Sequence, residues 1–195
     1  MDQRVSRQHF SITDHKSAEA EDRIFWHNTS AESRWQPLEL QRSIAYGYVT
    51  APRLQRFLKL LGEHRVENLL IGGYAVAHYG YPRSTSDVDI WIAMNPKNAS
   101  AAINALAAFG FSEPALTVDV LLQPERILRM GYPPLRLEIM TTIDGVTFDD
   151  CYARRNTIEI DGQSADLISL ADVRINKAAS GRAKGINHLQ QLPNS

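Results

Sequence analysis

From Pro52 onward the apolar positions alternate between two periods. Leu54, Phe57, Leu58 and Leu61 recur at i, i+3, i+4 and i+7, a helical repeat whose first turn accommodates Pro52. Val66 to Ile71 reads as a strand, Tyr74 to Tyr79 as a short helix, and Asp87 to Ala93 as a second strand. Ala99 to Phe109 is an alanine-rich helix that Gly110 closes. Ile127 to Met130 and Leu135 to Met140 flank Gly131-Tyr132-Pro133-Pro134, and Thr157 to Ile160 and Ala165 to Ile168 flank Asp161-Gly162; both are hairpin signals. Ser169-Leu170-Ala171-Asp172 has the spacing of a capping box and opens a helix to about Ala179, stopped by Gly181. Strands and helices mix without strict βαβ repetition. The expected class is therefore α/β (α+β), a mixed sheet with helices packed on it.

Residues 1 to 50 have a different texture. The first 16 or so are polar and without period, a loose or strand-like arm, and Ser17 to Trp26 suits a short acidic helix. Thr29-Ser30-Ala31-Glu32 has capping-box spacing and predicts a helix to about Tyr46, with Trp35, Leu38, Ile44 and Ala45 on its buried side and Gly47 at its stop. Residues 1–50 thus read as a helical appendage, with Trp26 and Trp35 as packing anchors, and residues 51–195 as the main domain.

Composition narrows the setting. A chain of 195 residues, 44% hydrophobic and 22% charged, can bury a real core. Its net charge of -1 supplies no global basic field that would demand nucleic acid. Cys151 is the one cysteine, which excludes an intramolecular disulfide and suits a reducing compartment; with no His nearby in sequence it reads as an inert thiol. The polar start lacks an apolar signal core and no apolar run is long enough to span a bilayer, so a cytoplasmic protein is expected. The histidines are scattered and match no zinc spacing.

The candidate chemistry lies between Leu69 and Ala93. Asp87 and Asp89 stand at i and i+2 of a strand, so both carboxylates share one face while Val88, Ile90 and Ile92 face the core. Like charges that close raise each other's pKa unless a cation neutralises them. Hard oxygen ligands beside a glycine turn are what a Mg²⁺–nucleotide site requires. Gly72 and Gly73 allow a sharp turn and close ligand approach, and the N–H groups after them can donate to phosphate oxygens; alone, the pair reads as a tight turn before it reads as a ligand site. Glu138, in the middle of an apolar strand, is the candidate third ligand, the alternative being an exposed glutamate paired with Arg136 or Arg129.

These residues carry a resemblance. Gly72-Gly73 followed by Asp87-x-Asp89 resembles the motif of the polymerase-β-like nucleotidyltransferase superfamily. Arg83-x-Thr85-x-Asp87-x-Asp89, Glu138, Ile143-Asp144-Gly145-Val146-x-Phe148 and Asn176-Lys177-x-Ala179-x-Gly181-Arg182-x-Lys184 look like the small bacterial nucleotidyltransferases grouped with abortive-infection and type IV toxin–antitoxin proteins, over residues 53–192. The N-terminal segment is similar to small bacterial proteins encoded beside such transferases, as in a fusion of two neighbours.

The resemblance implies Mg²⁺-dependent transfer of NMP from an NTP to a hydroxyl of RNA or protein, in a toxin–antitoxin or phage-defence pair with its partner protein. Asp87, Asp89 and Glu138 would be the metal ligands, with Glu138 accepting the hydroxyl proton. Gly73 and Ser86 would contact the phosphates, and Lys177, Arg182 and Lys184 would supply positive charge, although bases at a helix end are also ordinary solvated residues. The alternative is a catalytically silent nucleotide-binding antitoxin or partner subunit of the same fold; an antibiotic-modifying transferase is a weaker third. Two departures bear on activity. Where the subgroup reads Lys-Asp-x-x-Asp-Leu, this chain reads Lys184-Gly185-Ile186-Asn187-His188-Leu189, and its third acid is Glu where Asp is common.

Overall fold

Alternation along the strands separates two faces, and the sheet is built accordingly. The computed structural model describes residues 10–28, 52–80, 87–131, 136–160, 162–182, 185, 189, 192 and 193. Its strands are β1 (Phe10–Thr13), β2 (Asn68–Leu70), β3 (Asp87–Ile92), β4 (Ile127–Met130), β5 (Arg136–Met140), β6 (Asn156–Ile160) and β7 (Gln163–Leu167). The helices are α1 (His15–Asn28), α2 (Pro52–Glu63), α3 (Gly72–His78), α4 (Pro96–Phe109), α5 (Val118–Leu121), α6 (Phe148–Ala153) and α7 (Leu170–Ser180). All seven strands join one sheet in the order β1-β4-β5-β3-β2-β7-β6. The β3–β5 and β2–β7 pairs are parallel and the others antiparallel, so the mixed α+β architecture expected from the pattern is the one observed.

Val88, Ile90, Leu137, Ile139, Leu128 and Met130 are buried on one face of the central strands. In α2, the predicted stripe Leu54, Phe57, Leu58 and Leu61 is buried throughout, and Phe57 meets Phe109 of α4 at 5.0 Å between ring centres. Asn98 anchors the start of α4: its amide accepts from the Glu67 N–H at 2.7 Å and donates to the Glu67 and Ala93 carbonyls, both at 3.0 Å. Gly110 and Gly181 end α4 and α7 in the left-handed conformation, where their spacing placed the stops.

The hairpin signal around Gly162 gives β6–β7, paired from Asn156↔Leu167 to Ile160↔Gln163; β4 and β5 pair as well, and residues 132–135 of their connection lie outside the described residues. The expected acidic helix starts two residues earlier than its pattern, because Asp14 caps it: the Ser17 N–H donates to Asp14 Oδ1 at 2.9 Å. Phe10–Thr13 is an edge strand on β4, so residues 10–28, read as part of an appendage, meet the sheet directly. The helix expected from Thr29 to Tyr46, with Trp35, and the Trp26 side chain lie outside the described residues. No helix among the described residues is long and apolar enough to cross a membrane. Cys151 is fully buried, and burial together with the nearby Asp172 carboxylate pushes its thiol up to about 12, so it is inert as expected.

The capping box of α7 is a buried charge site. Ser169 Oγ accepts from the Asp172 N–H at 3.2 Å and donates to Asp172 Oδ2 at 2.7 Å, while Arg154 Nη2 donates to Asp172 Oδ1 at 2.8 Å. Burial would raise the Asp172 carboxyl, but the bonds from Arg154 and Ser169 outweigh it and hold the group below its ordinary 3.8. A depressed folded pKa stabilises above the unfolded value and loses that contribution as pH falls through the folded one. Asp172→Asn is expected to cost about 2 kcal/mol in urea unfolding at neutral pH, with the gap to wild type closing below about pH 4.

Candidate functional site

Strand register assembles the site. Because β3 and β5 are parallel neighbours, Asp87 stands opposite Arg136 and Asp89 opposite Glu138. Across the next pair, Arg129 of β4 stands opposite Glu138. With side chains alternating, these five charged groups share the face opposite the apolar one. Asp87, Asp89, Arg129 and Glu138 line one cavity of about 190 Å³ together with Gly72, Gly73, Lys177 and Arg182.

The glycine pair and the acid pair are one local structure. The chain leaves β2 through Ile71, whose N–H donates to the Asp89 carbonyl at 2.9 Å. Gly72 then takes φ +64, and a Cβ there would overlap the Asp89 carboxylate, with Asp89 Cγ only 2.6 Å away. Gly72 thus meets both the left-handed backbone and the close approach that glycine permits. The Gly73 N–H reaches Asp89 Oδ2 at 3.4 Å, and burial beside Asp89 pushes the Tyr74 hydroxyl up to about 12.

Glu138 is buried, at 6% exposure, not the exposed strand glutamate of the alternative reading. It shares the cavity with Asp87 and Asp89, and it also pairs with both arginines. Arg129 Nε donates to Glu138 Oε1 at 2.9 Å, and Arg136 Nε lies 2.9 Å from the same oxygen. Arg136 Nη2 donates to Asp87 Oδ2 at 2.8 Å.

The remaining guanidinium donors go to α1. Asp22 accepts from Arg136 Nη1 at 2.7 Å and from Arg129 Nη2 at 3.0 Å; Glu21 Oε2 accepts from Arg129 Nη1 at 3.0 Å, as does the Ala18 carbonyl at 3.2 Å. Asp22 and Glu21 escaped sequence reasoning. The available signal was the arginines themselves: Arg129 and Arg136 interrupt apolar strands and must find counter-charges when buried. Nothing in the sequence says that an acidic helix over a hundred residues earlier supplies them.

Electrostatics records the crowding. Burial pushes the Asp87 carboxyl up to about 6, Arg136 opposes the rise, and Glu138 and Asp22 add to it. Burial and Asp89 likewise raise Glu138, against Arg136 and Arg129. Burial would lower the Arg136 guanidinium, but its bonds and proximity to Asp22, Asp87 and Glu138 hold it above its ordinary range.

The two C-terminal motif blocks touch each other. Asn176 Nδ2 donates to the Asp144 carbonyl at 3.0 Å, Arg182 Nη2 lies 3.9 Å from Asp144 Oδ2, and a Cβ on Gly145 would overlap that of Ala179. This docking brings Lys177 and Arg182 to the cavity. Gly185, one of the departures, packs tightly: a Cβ there would stand 3.3 Å from both the Lys177 carbonyl and Ser180 Oγ. Arg83, Thr85, Ser86, Lys184 and His188 lie outside the described residues.

As donors, Asp87, Asp89 and Glu138 suit a hard divalent cation. Among the described residues no group of three or more His, Cys, Asp or Glu stands in metal-holding geometry as it is. The chemistry of the donor set fits; Glu138 Oε1 and Asp87 Oδ2 carry guanidinium groups in its place.

No family model and no curated protein matches the chain. A solved structure named a "putative nucleotidyltransferase", from Thermotoga maritima, is 18% identical, with a TM-score of 0.49, over 71% of this chain and 88% of that one. That likeness is too distant to bear on activity; the site rests on its own geometry.

Asp87 yields a pH test. A carboxyl raised by folding stabilises fully below its unfolded value of 3.8, and the contribution is lost as pH rises through about 6. With chelator present, Asp87→Asn is expected to melt with wild type near pH 4 and to exceed it at pH 8 by on the order of 2 kcal/mol. Thermal melts across that range read the difference directly, and equal melting at pH 8 contradicts it.

Proposed function

We propose that the chain is a Mg²⁺-dependent nucleotidyltransferase that moves NMP from an NTP to a hydroxyl of RNA or protein. The observation that carries this reading is the in-register Asp89–Glu138 pair, with Asp87 beside it, opening on a cavity that Gly72, Gly73, Lys177 and Arg182 also line. Asp87 and Asp89 would hold the metal, and Glu138 would complete its shell. Bound there, Mg²⁺ supplies charge neutralisation on the entering and leaving oxygens.

The other roles belong to the chain. Glu138, opposite Asp89, would take the proton of the attacking hydroxyl as its oxygen bonds the α-phosphorus and pyrophosphate leaves. The Gly73 N–H and Ser86 would contact the β- and γ-phosphates. Lys177, Arg182 and Lys184 would balance their charge, and Arg83 and Thr85 belong to the same motif. The blocks around Asp144 and Lys177 resemble those of abortive-infection and toxin–antitoxin transferases, which supports a cytoplasmic role in such a pair with a partner protein.

One observation favours a second reading, a silent nucleotide-binding subunit: Arg129 and Arg136 already neutralise Glu138 and Asp87. Labelled-NTP transfer to cellular RNA and protein separates the two. Wild type with Mg²⁺ is expected to transfer label, and Asp87→Ala with Asp89→Ala to lose at least about 100-fold. Nucleotide bound without transfer from any of the ribonucleoside triphosphates would instead establish the silent subunit.

A further inference from the structure

We propose that Arg136 is the resident cation of the acid site, shared with Asp22 of α1, and that a divalent ion binds only by displacing its guanidinium from Asp87 and Glu138. The inference rests on the metal reading of the acid pair. Arg136 bridges carboxylates from three elements: Asp87 on β3 at 2.8 Å, Glu138 on β5 at 2.9 Å, and both oxygens of Asp22 on α1, at 2.7 and 3.2 Å. Its side chain is only 7% exposed. A buried guanidinium is tolerated among carboxylates: Arg136 Nη1 and Nη2 donate to Asp22 and Asp87, and Nε lies against Glu138 without a donor alignment.

Two of the carboxylate oxygens a cation could draw on already face a guanidinium. Asp87 Oδ2 and Glu138 Oε1 face Arg136 nitrogens at hydrogen-bonding distance, whereas a metal–oxygen contact to Mg²⁺ requires about 2.1 Å. A guanidinium and a divalent ion therefore compete for the same carboxylates. Like charges that close also repel, so the two cations favour one occupant at a time.

Asp22 decides how costly the exchange is. Because it holds Arg136 through both its oxygens, a guanidinium pushed off Asp87 remains paired, and no buried charge is stranded. Asp22 also accepts from Arg129 Nη2, the second guanidinium on Glu138. The N-terminal helix thereby becomes part of the cation balance of the site. Removing Arg136 removes the competitor; removing the Asp22 charge removes the competitor's alternative partner and one attraction for the incoming ion. The two changes act in opposite directions.

The test is Mn²⁺ binding to the full chain, followed by titration calorimetry and by loss of the free Mn²⁺ paramagnetic resonance signal, without nucleotide. Arg136→Gln is expected to bind Mn²⁺ at least about tenfold tighter than wild type, Arg136→Lys to stay within about threefold, and Asp22→Asn to bind several-fold weaker. Arg136→Gln no tighter than wild type overturns the proposal. Should that variant lack a cooperative melt, Asp22→Asn carries the test, and an affinity equal to wild type overturns it. Absence of Mn²⁺ binding in every variant would instead overturn the metal reading of Asp87 and Asp89, a failure distinct from that of the exchange.

Discussion

Two guanidinium groups buried among carboxylates hold the described structure together where it matters. Arg129 and Arg136 are each almost fully buried, and a charge taken out of water is tolerated only with excellent partners. Those partners come from β3, β5 and α1, so one ion cluster joins three strands and the N-terminal helix. Among the described side chains of α1 only Ala18 is fully buried, which leaves the acids Glu21 and Asp22 as its principal grip on the sheet.

A second constraint acts at shorter range. Asp89 fills the space above Gly72, and Gly145 is pressed against Ala179. Each close approach converts a sequence motif into a contact: the glycine turn with the acid strand, and the loop before α6 with the last turns of α7. The first orients a carboxylate toward the cavity. The second carries Lys177 and Arg182 to its rim. Chemistry-bearing residues a hundred positions apart meet because small residues let backbones approach.

Much of this was legible without coordinates. The period of 3.6 in α2, the glycine stops after α4 and α7, the Ser169 cap and the hairpin at Gly162 depend on interactions within a few residues, and each emerged where its pattern placed it. The shared face of Asp87 and Asp89 is a consequence of strand geometry alone. Glu138 was legible as an anomaly, a carboxylate in an apolar strand; it lines the cavity of the acid pair and it pairs with Arg129 and Arg136. Its burial was not legible, because that depends on what covers the strand.

The sequence by itself determined the elements, their caps and the pairing of acids on β3, because local periodicity and steric rules decide those. Only the tertiary structure decided the parallel register that sets Asp89 opposite Glu138, the return of Phe10–Thr13 to the sheet edge, and the capture of two arginines by Asp22. These are long-range pairings in which several acids could have served each arginine. Which one does is chosen by the burial and geometry of the whole sheet, and no spacing along the chain encodes that choice in a form that can be read locally.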